Sequence, residues 1–167
     1  MLLSPHPHAI IRRITTRHAR ALPGVMAVVT DADVPPIRLG QYVFDETLFA
    51  CGRVRYAGER VAAVAAVDDE TAEEALSLIR VEYEDLPAVF NPEEALVEGA
   101  PLIHPDLESY KAFNGNIREG NNPCLIRVRR GDPETALARS DQVFEDTYET
   151  QHMHPGYLEP RACLVDP

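Results

Sequence analysis

With 167 residues, 45% hydrophobic and 26% charged, the chain can bury a core and has the composition of a soluble globular protein. A net charge of −11 excludes nucleic acid as an expected partner, since phosphate recognition needs clustered positive charge. No apolar run approaches the roughly 18 residues of a membrane span, and residues 1–11 lack the basic start and apolar centre of a signal peptide. Cys51, Cys124 and Cys163 are odd in number and widely spaced. They fit no zinc, iron–sulfur or disulfide framework, so reduced thiols in a cytoplasmic protein are expected.

Ser4-Pro5-His6-Pro7-His8 keeps the lead-in extended, because each proline restricts itself and its predecessor. An apolar-basic run follows at residues 10–14. Thr16 is placed to cap a short helix over 17–22, which Pro23-Gly24 ends. Val25–Thr30 reads as a strand and Asp31-Ala32-Asp33 as a turn. Pro35-Pro36 opens a loop to about Leu48, whose Tyr42 and Phe44, with Phe49 just after it, imply packing.

Residues 61–67 are apolar and small, which suits a strand covered on both faces. Asp68 or Asp69 is the expected cap of the next helix. Ala72, Ala75, Leu76 and Ile79 form its buried stripe, with Glu73, Glu74 and Ser77 outside it. A strand alternates Val81 and Tyr83 against Arg80, Glu82 and Glu84. Asn91-Pro92 starts a short helix ending near Gly99. Residues 114–122, with two glycines and four asparagines, mark a boundary or mobile loop. Residues 125–129 and 143–150 are predicted strands. Between them Asp132-Pro133 starts a helix that runs to about Arg139. A return strand is expected at 162–165.

Little chemistry stands out. His6/His8 and His152/His154 are H-x-H pairs that could share a strand face towards a metal, but a third ligand, such as His104, would have to arrive through folding. The acidic pairs are neighbours on one element, not opposed carboxylates. No serine lies in a nucleophile elbow and no glycine-rich phosphate loop is present. Arg53 near Cys51 could lower the thiol pKa. Glu159, between Leu158 and Pro160 and beside Arg161, is a candidate buried and paired carboxylate. No catalytic, cofactor-binding or metal-binding residue is assigned.

Six stretches in order carry a resemblance: Ser-Pro-His-Pro-His-Ala at 4–9, Leu-Pro-Gly-Val at 22–25, Val-Arg-Tyr-Ala-Gly-Glu-Arg-Val-Ala at 54–62, Val-Glu-Tyr-Glu-Asp-Leu-Pro-Ala-Val at 81–89, Gly-Asp at 131–132 and Leu-Glu-Pro-Arg-Ala at 158–162. Together they resemble the start of the molybdenum-containing large subunit of the xanthine dehydrogenase, aldehyde oxidase and 4-hydroxybenzoyl-CoA reductase family. Arg60 departs from the proline many relatives carry there. The resemblance implies an α+β architecture: an α/β hammerhead domain of mixed strands and short helices over 1–107, a linker at 108–122, and the first elements of a molybdopterin-binding domain over 123–167.

The resemblance also implies a complete enzyme with molybdopterin or its cytosine dinucleotide, 2Fe-2S clusters and FAD. Its partners would be the remainder of the large subunit and iron–sulfur and FAD subunits or domains, and a homo-oligomer is compatible with it. The pterin-holding loops and the base glutamate lie further along such a subunit, so no cofactor and no turnover are expected of this chain alone. The alternative is a stand-alone binding or metal module using the His6/His8 or His152/His154 pairs.

Overall fold

The computed structural model describes residues 1–112, 117–151, 153–159 and 163. The chain divides into two compact units, Met1–Arg127 and Val128–Pro167. In order, the first unit contains β1 (Leu2–Leu3), β2 (Ala9–Thr15), α1 (Arg17–Ala21), β3 (Val25–Thr30), a 3₁₀ turn (Asp31–Asp33), β4 (Arg38–Leu39), β5 (Glu46–Thr47) and β6 (Arg53–Val54). It continues with β7 (Arg60–Ala66), α2 (Asp69–Leu78), β8 (Arg80–Asp85), α3 (Pro92–Ala95), a 3₁₀ turn (Leu107–Ser109), β9 (Ile117–Glu119) and β10 (Asn122–Leu125). The second unit contains α4 (Pro133–Ala138). This is the expected mixed α+β class.

Two three-stranded antiparallel sheets organise the first unit. One has the order β1-β7-β3, the other β6-β2-β8. β7 supplies both cores, because successive side chains of a strand point to opposite faces. Its Ala62 joins Ala19 of α1, Val28 of β3, and Ala75 and Ile79 at the end of α2. Its Val61 joins Ala9, Ala50 and Val54, with Ile14, Val81 and Tyr83 around them. Small residues let these elements approach closely, which explains the Ala-rich 61–67 run. Its far end is less covered than expected, since Val67 is 67% exposed.

α2 forms as its pattern requires. Asp68 Oδ1 accepts the Thr71 N–H at 2.7 Å, Ala75 is buried, and Glu73, Glu74 and Ser77 are exposed. Asn91 Oδ1 likewise caps α3, accepting Glu93 N–H at 2.7 Å. Asp132 Oδ1 caps α4, accepting Thr135 N–H at 3.3 Å. Thr16 sits at the N-cap of α1 but makes no capping hydrogen bond; its hydroxyl accepts from Arg20 Nε at 3.0 Å instead.

Four expectations change. The apolar-basic run at 10–14 is the interior of β2, the middle strand of its sheet, with a register shift between Ile11 and Arg13 that disrupts simple alternation. In the loop before Leu48, Tyr42 is 61% exposed, and Val43 is the residue buried, with Leu107 and Tyr110. The strand predicted at 125–129 lies earlier, at Asn122–Leu125, paired with β9. Residues 126–130 form no ladder, and Val128 is 92% exposed. Residues 143–150 form no strand either, and Phe144 and Tyr148 are 89% and 87% exposed. A strand needs a neighbour to take its N–H and C=O groups, and this segment has none among the described residues. The return strand expected at 162–165 lies outside the described residues but for Cys163.

Candidate functional site

A polar cluster forms where the lead-in, the 53–60 turn and the end of β8 meet. Ser4, His8 and Glu59 are its buried polar residues. β6 runs beside β2, and Gly58, at φ 92°, lets the chain turn back into β7. Glu59 closes the turn from inside: its Oε2 accepts the Arg55 N–H at 2.5 Å and its Oε1 lies 3.7 Å from Arg55 Nη1. Burial pushes the Glu59 carboxyl above its ordinary value, against the pull of those partners. Arg55 Nη1 donates to Arg53 O at 3.3 Å. Arg55 Nε is buried without a partner in the described structure.

The lead-in clamps onto this turn. Ser4 N–H donates to Glu59 O at 2.8 Å, and Gly58 N–H donates to Ser4 O at 2.7 Å. His6 Nδ1 donates to Asp85 Oδ1 at 2.6 Å, and its ring packs on Tyr83 with centroids 4.4 Å apart. His8 Nδ1 donates to Pro87 O at 2.7 Å, which leaves Nε2 as an acceptor facing Arg53 Nη1 at 3.4 Å. The two histidines therefore spend their Nδ1 donors on different acceptors and do not converge on one point. His152 lies outside the described residues. His154 Nδ1 accepts from Gly156 N–H at 3.0 Å.

His104 borders two cavities. One, of about 360 Å³, is lined by Val89, Phe90, Pro92, Ile103 and Leu107 with Asp45 and Asn121. The other, of about 400 Å³, is lined by Asp45, Thr47, Arg55, Glu59 and Arg60. Burial first, and then the Arg55 charge, lowers the His104 pKa from 6.5 to about 4, so the imidazole is neutral at physiological pH. Its Nδ1 lies 3.4 Å from the Tyr110 hydroxyl, and the Arg38 guanidinium sits 4.1 Å over the Tyr110 ring.

This arrangement positions chain segments; it does not assemble an acid–base or nucleophilic pair. Cys51 departs from expectation. Its thiol is pushed up, by burial first and then by the Asp31 carboxylate, which outweighs the nearby arginines. Glu159 is exposed and not buried, beside a fully exposed Leu158; among the described residues nothing packs over that segment. Among the described residues no three His, Cys, Asp or Glu side chains group to hold a metal ion. Sequence reasoning missed that the Glu59 carboxylate is buried and that Ser4 closes over its turn. The signal was present in the order of the motifs at 4–9, 54–62 and 81–89, which fold onto one another.

Comparison with known proteins names this architecture. Residues 1–87 match the family described as "Aldehyde oxidase and xanthine dehydrogenase, a/b hammerhead domain". The chain belongs to this family. Residues 116–167 of this hammerhead protein match a "Molybdopterin cofactor-binding domain". The chain is 38% identical to a probable xanthine dehydrogenase subunit of Bacillus subtilis, covering 100% of this chain and 21% of that one. It is 33% identical to the carbon monoxide dehydrogenase large chain of Afipia carboxidovorans, covering 97% and 21%. Quinoline 2-oxidoreductase from Pseudomonas putida 86 superposes with a TM-score of 0.54 at 42% identity, over 61% of this chain and 14% of that one. The chain thus spans about a fifth of the length of these curated relatives.

A pterin cofactor needs a walled site with several convergent polar groups. The described residues between 125 and 159 are exposed apart from the partly buried Thr135. On their own they do not fit such a group. Among the described residues, no helix is long and apolar enough to cross a membrane.

Proposed function

We propose that this chain is the N-terminal architectural part of a molybdenum hydroxylase large subunit, inactive by itself. Residues 1–107 act as the hammerhead domain, 108–122 as the connection, and 123–167 as the first elements of the molybdopterin-binding domain. The complete enzyme hydroxylates an aldehyde, N-heterocycle or related substrate with oxygen from water, and the two electrons pass to iron–sulfur centres and FAD on partner subunits or domains. The work of this chain is to build a rigid clasp against which the cofactor domain and its partners assemble.

One observation carries the reading. Residues 116–167 match a cofactor-binding domain, yet their strand-patterned part, 143–150, has no ladder partner among the described residues. Such a segment is what a larger domain would supply with neighbours. The test is to purify the chain alone and assay bound molybdenum and dye-linked substrate oxidation. The assays are then repeated after co-expression with a polypeptide carrying the rest of a relative's molybdopterin-binding sequence. The chain alone should carry no molybdenum and show no turnover, and the reconstituted pair should show both. Stoichiometric molybdenum on the isolated chain would overturn the proposal.

A further inference from the structure

The two cavities at His104 differ in kind. The one of about 360 Å³ has an apolar wall of Val89, Phe90, Pro92, Ile103 and Leu107. The one of about 400 Å³ is polar, with Thr47, Arg55, Glu59 and Arg60. His104 and Asp45 border both, so the imidazole stands where an apolar chamber meets a charged one.

Acids outnumber lysine and arginine by 27 to 16 in the whole chain, but not here. After burial, the charges of Arg55, Arg38 and Arg53 hold the imidazole neutral, with Asp45 opposing them. Arg60 adds another guanidinium. Against these arginines stand Asp45, Glu46 and Glu59, and Glu59 is already engaged by Arg55. Two donors in this setting lack acceptors. Arg55 Nη1 donates to Arg53 O at 3.3 Å, but Nε is buried with no partner among the described residues. Such an unmet donor calls for an explanation. The Tyr110 hydroxyl donates to His104 Nδ1 at 3.4 Å, which puts the proton of the neutral ring on Nε2. Nε2 also has no partner among the described residues.

We propose that these joined cavities bind a small amphiphilic anion, an aliphatic monocarboxylate. Its chain enters the cavity lined by Phe90, Ile103 and Leu107, and its head group accepts from the Arg55 guanidinium and His104 Nε2–H. Guanidinium and carboxylate match in charge and in planar geometry, and such charge-assisted bonds are the strong ones. Asp45 limits the ligand to a single negative charge, because a second would face its carboxylate. The apolar cavity lies near the small end of ligand pockets, which run from roughly 300 to 1,000 Å³, so it suits a short chain and not a long lipid. The site does not depend on the architectural reading, since its residues all lie within the first unit.

The probe is hexanoate, titrated into the isotope-labelled 167-residue chain at neutral pH and followed by NMR. It should bind saturably and move the resonances of Phe90, His104 and Leu107 together. Acetate keeps the head group without the chain, and hexylamine keeps the chain with the opposite charge. Each should bind at least about tenfold more weakly than hexanoate.

Two variants separate the halves of the site, each checked by circular dichroism for an intact fold. Ala95→Phe fills the apolar cavity, which Ala95 borders, and leaves the charged one untouched. Arg55→Met removes the head-group partner. Each should weaken hexanoate at least about tenfold. If Arg55→Met does not fold, Ala95→Phe and the three probes decide the matter without it. Absence of a saturable response to hexanoate overturns the proposal. Acetate or hexylamine binding as tightly as hexanoate overturns it equally, as does full affinity in either folded variant.

Discussion

Glu59 is a buried carboxylate with one strong backbone donor, and the 53–60 turn depends on it. Replacing it with alanine leaves the Arg55 N–H and guanidinium buried with an acceptor missing. Glu59→Ala should cost about 1–3 kcal/mol in urea denaturation, and Glu59→Gln, which keeps an acceptor oxygen, should cost less. The pH dependence follows from linkage. Burial raises this carboxyl above 4.5, so its contribution favours the fold below 4.5 and is lost as pH rises through the folded-state pKa. The stability difference between Glu59→Gln and the native chain should shift in the variant's favour across that window. His104 runs the other way. Its folded-state pKa falls from 6.5 to about 4, so its contribution is present above 6.5 and is lost as pH falls towards 4. An NMR titration of the His104 ring should show a midpoint near 4, and a midpoint near 6.5 would contradict the burial argument. Neither role was legible from single residues. Glu59 is one of 27 acids in the sequence, and what sets it apart is Ser4, more than fifty positions away, closing over it.

At the scale of elements, local chemistry and long-range pairing part company. Caps and stripes were legible because the residues that make them are neighbours in sequence. Asp68 with Thr71, Asn91 with Glu93 and Asp132 with Thr135 all formed as the cap-then-helix order requires. Strands were legible where small or alternating residues found partners, as at Val25–Thr30 and Arg80–Asp85. The same alternation at 143–150 produced no strand, since period two records a preference and not the presence of a neighbour. The junctions between elements are tight. Gly24, at φ 89°, joins α1 to β3, and a Cβ there would lie 3.0 Å from Val67 Cγ2 and 3.3 Å from Thr71 Cγ2. Gly24→Ala combines left-handed strain with this crowding at the β7–α2 junction. It should destabilise the chain by about 1–2 kcal/mol in chemical denaturation. A loss below a few tenths would mean that the junction relaxes freely.

At the scale of the molecule, the three apolar clusters among the described residues all draw on residues between 2 and 112, within the first unit. Beyond Leu125 the described chain is exposed apart from the partly buried Thr135, with Ile126, Val143, Met153 and Tyr157 among its uncovered apolar residues. Arginines at 127, 129, 130 and 139 punctuate that stretch, and exposed backbone without regular structure is where proteases cut. Trypsin should therefore nick the isolated chain first at Arg127–Arg139 positions and leave a resistant fragment ending near Arg127. That fragment contains the hammerhead match and the three buried clusters of the described residues, so it should keep a cooperative unfolding transition. Co-expression with the remaining molybdopterin-binding sequence makes the decisive contrast. If 143–150 gains ladder partners in the larger domain, cleavage at Arg139 should slow at least about tenfold, because cleavage tracks the population of the open form. Equal cleavage with and without that sequence, in a preparation where the two chains co-purify, would mean that the segment stays unpaired in the assembly, and the architectural role proposed for residues 123–167 would fail.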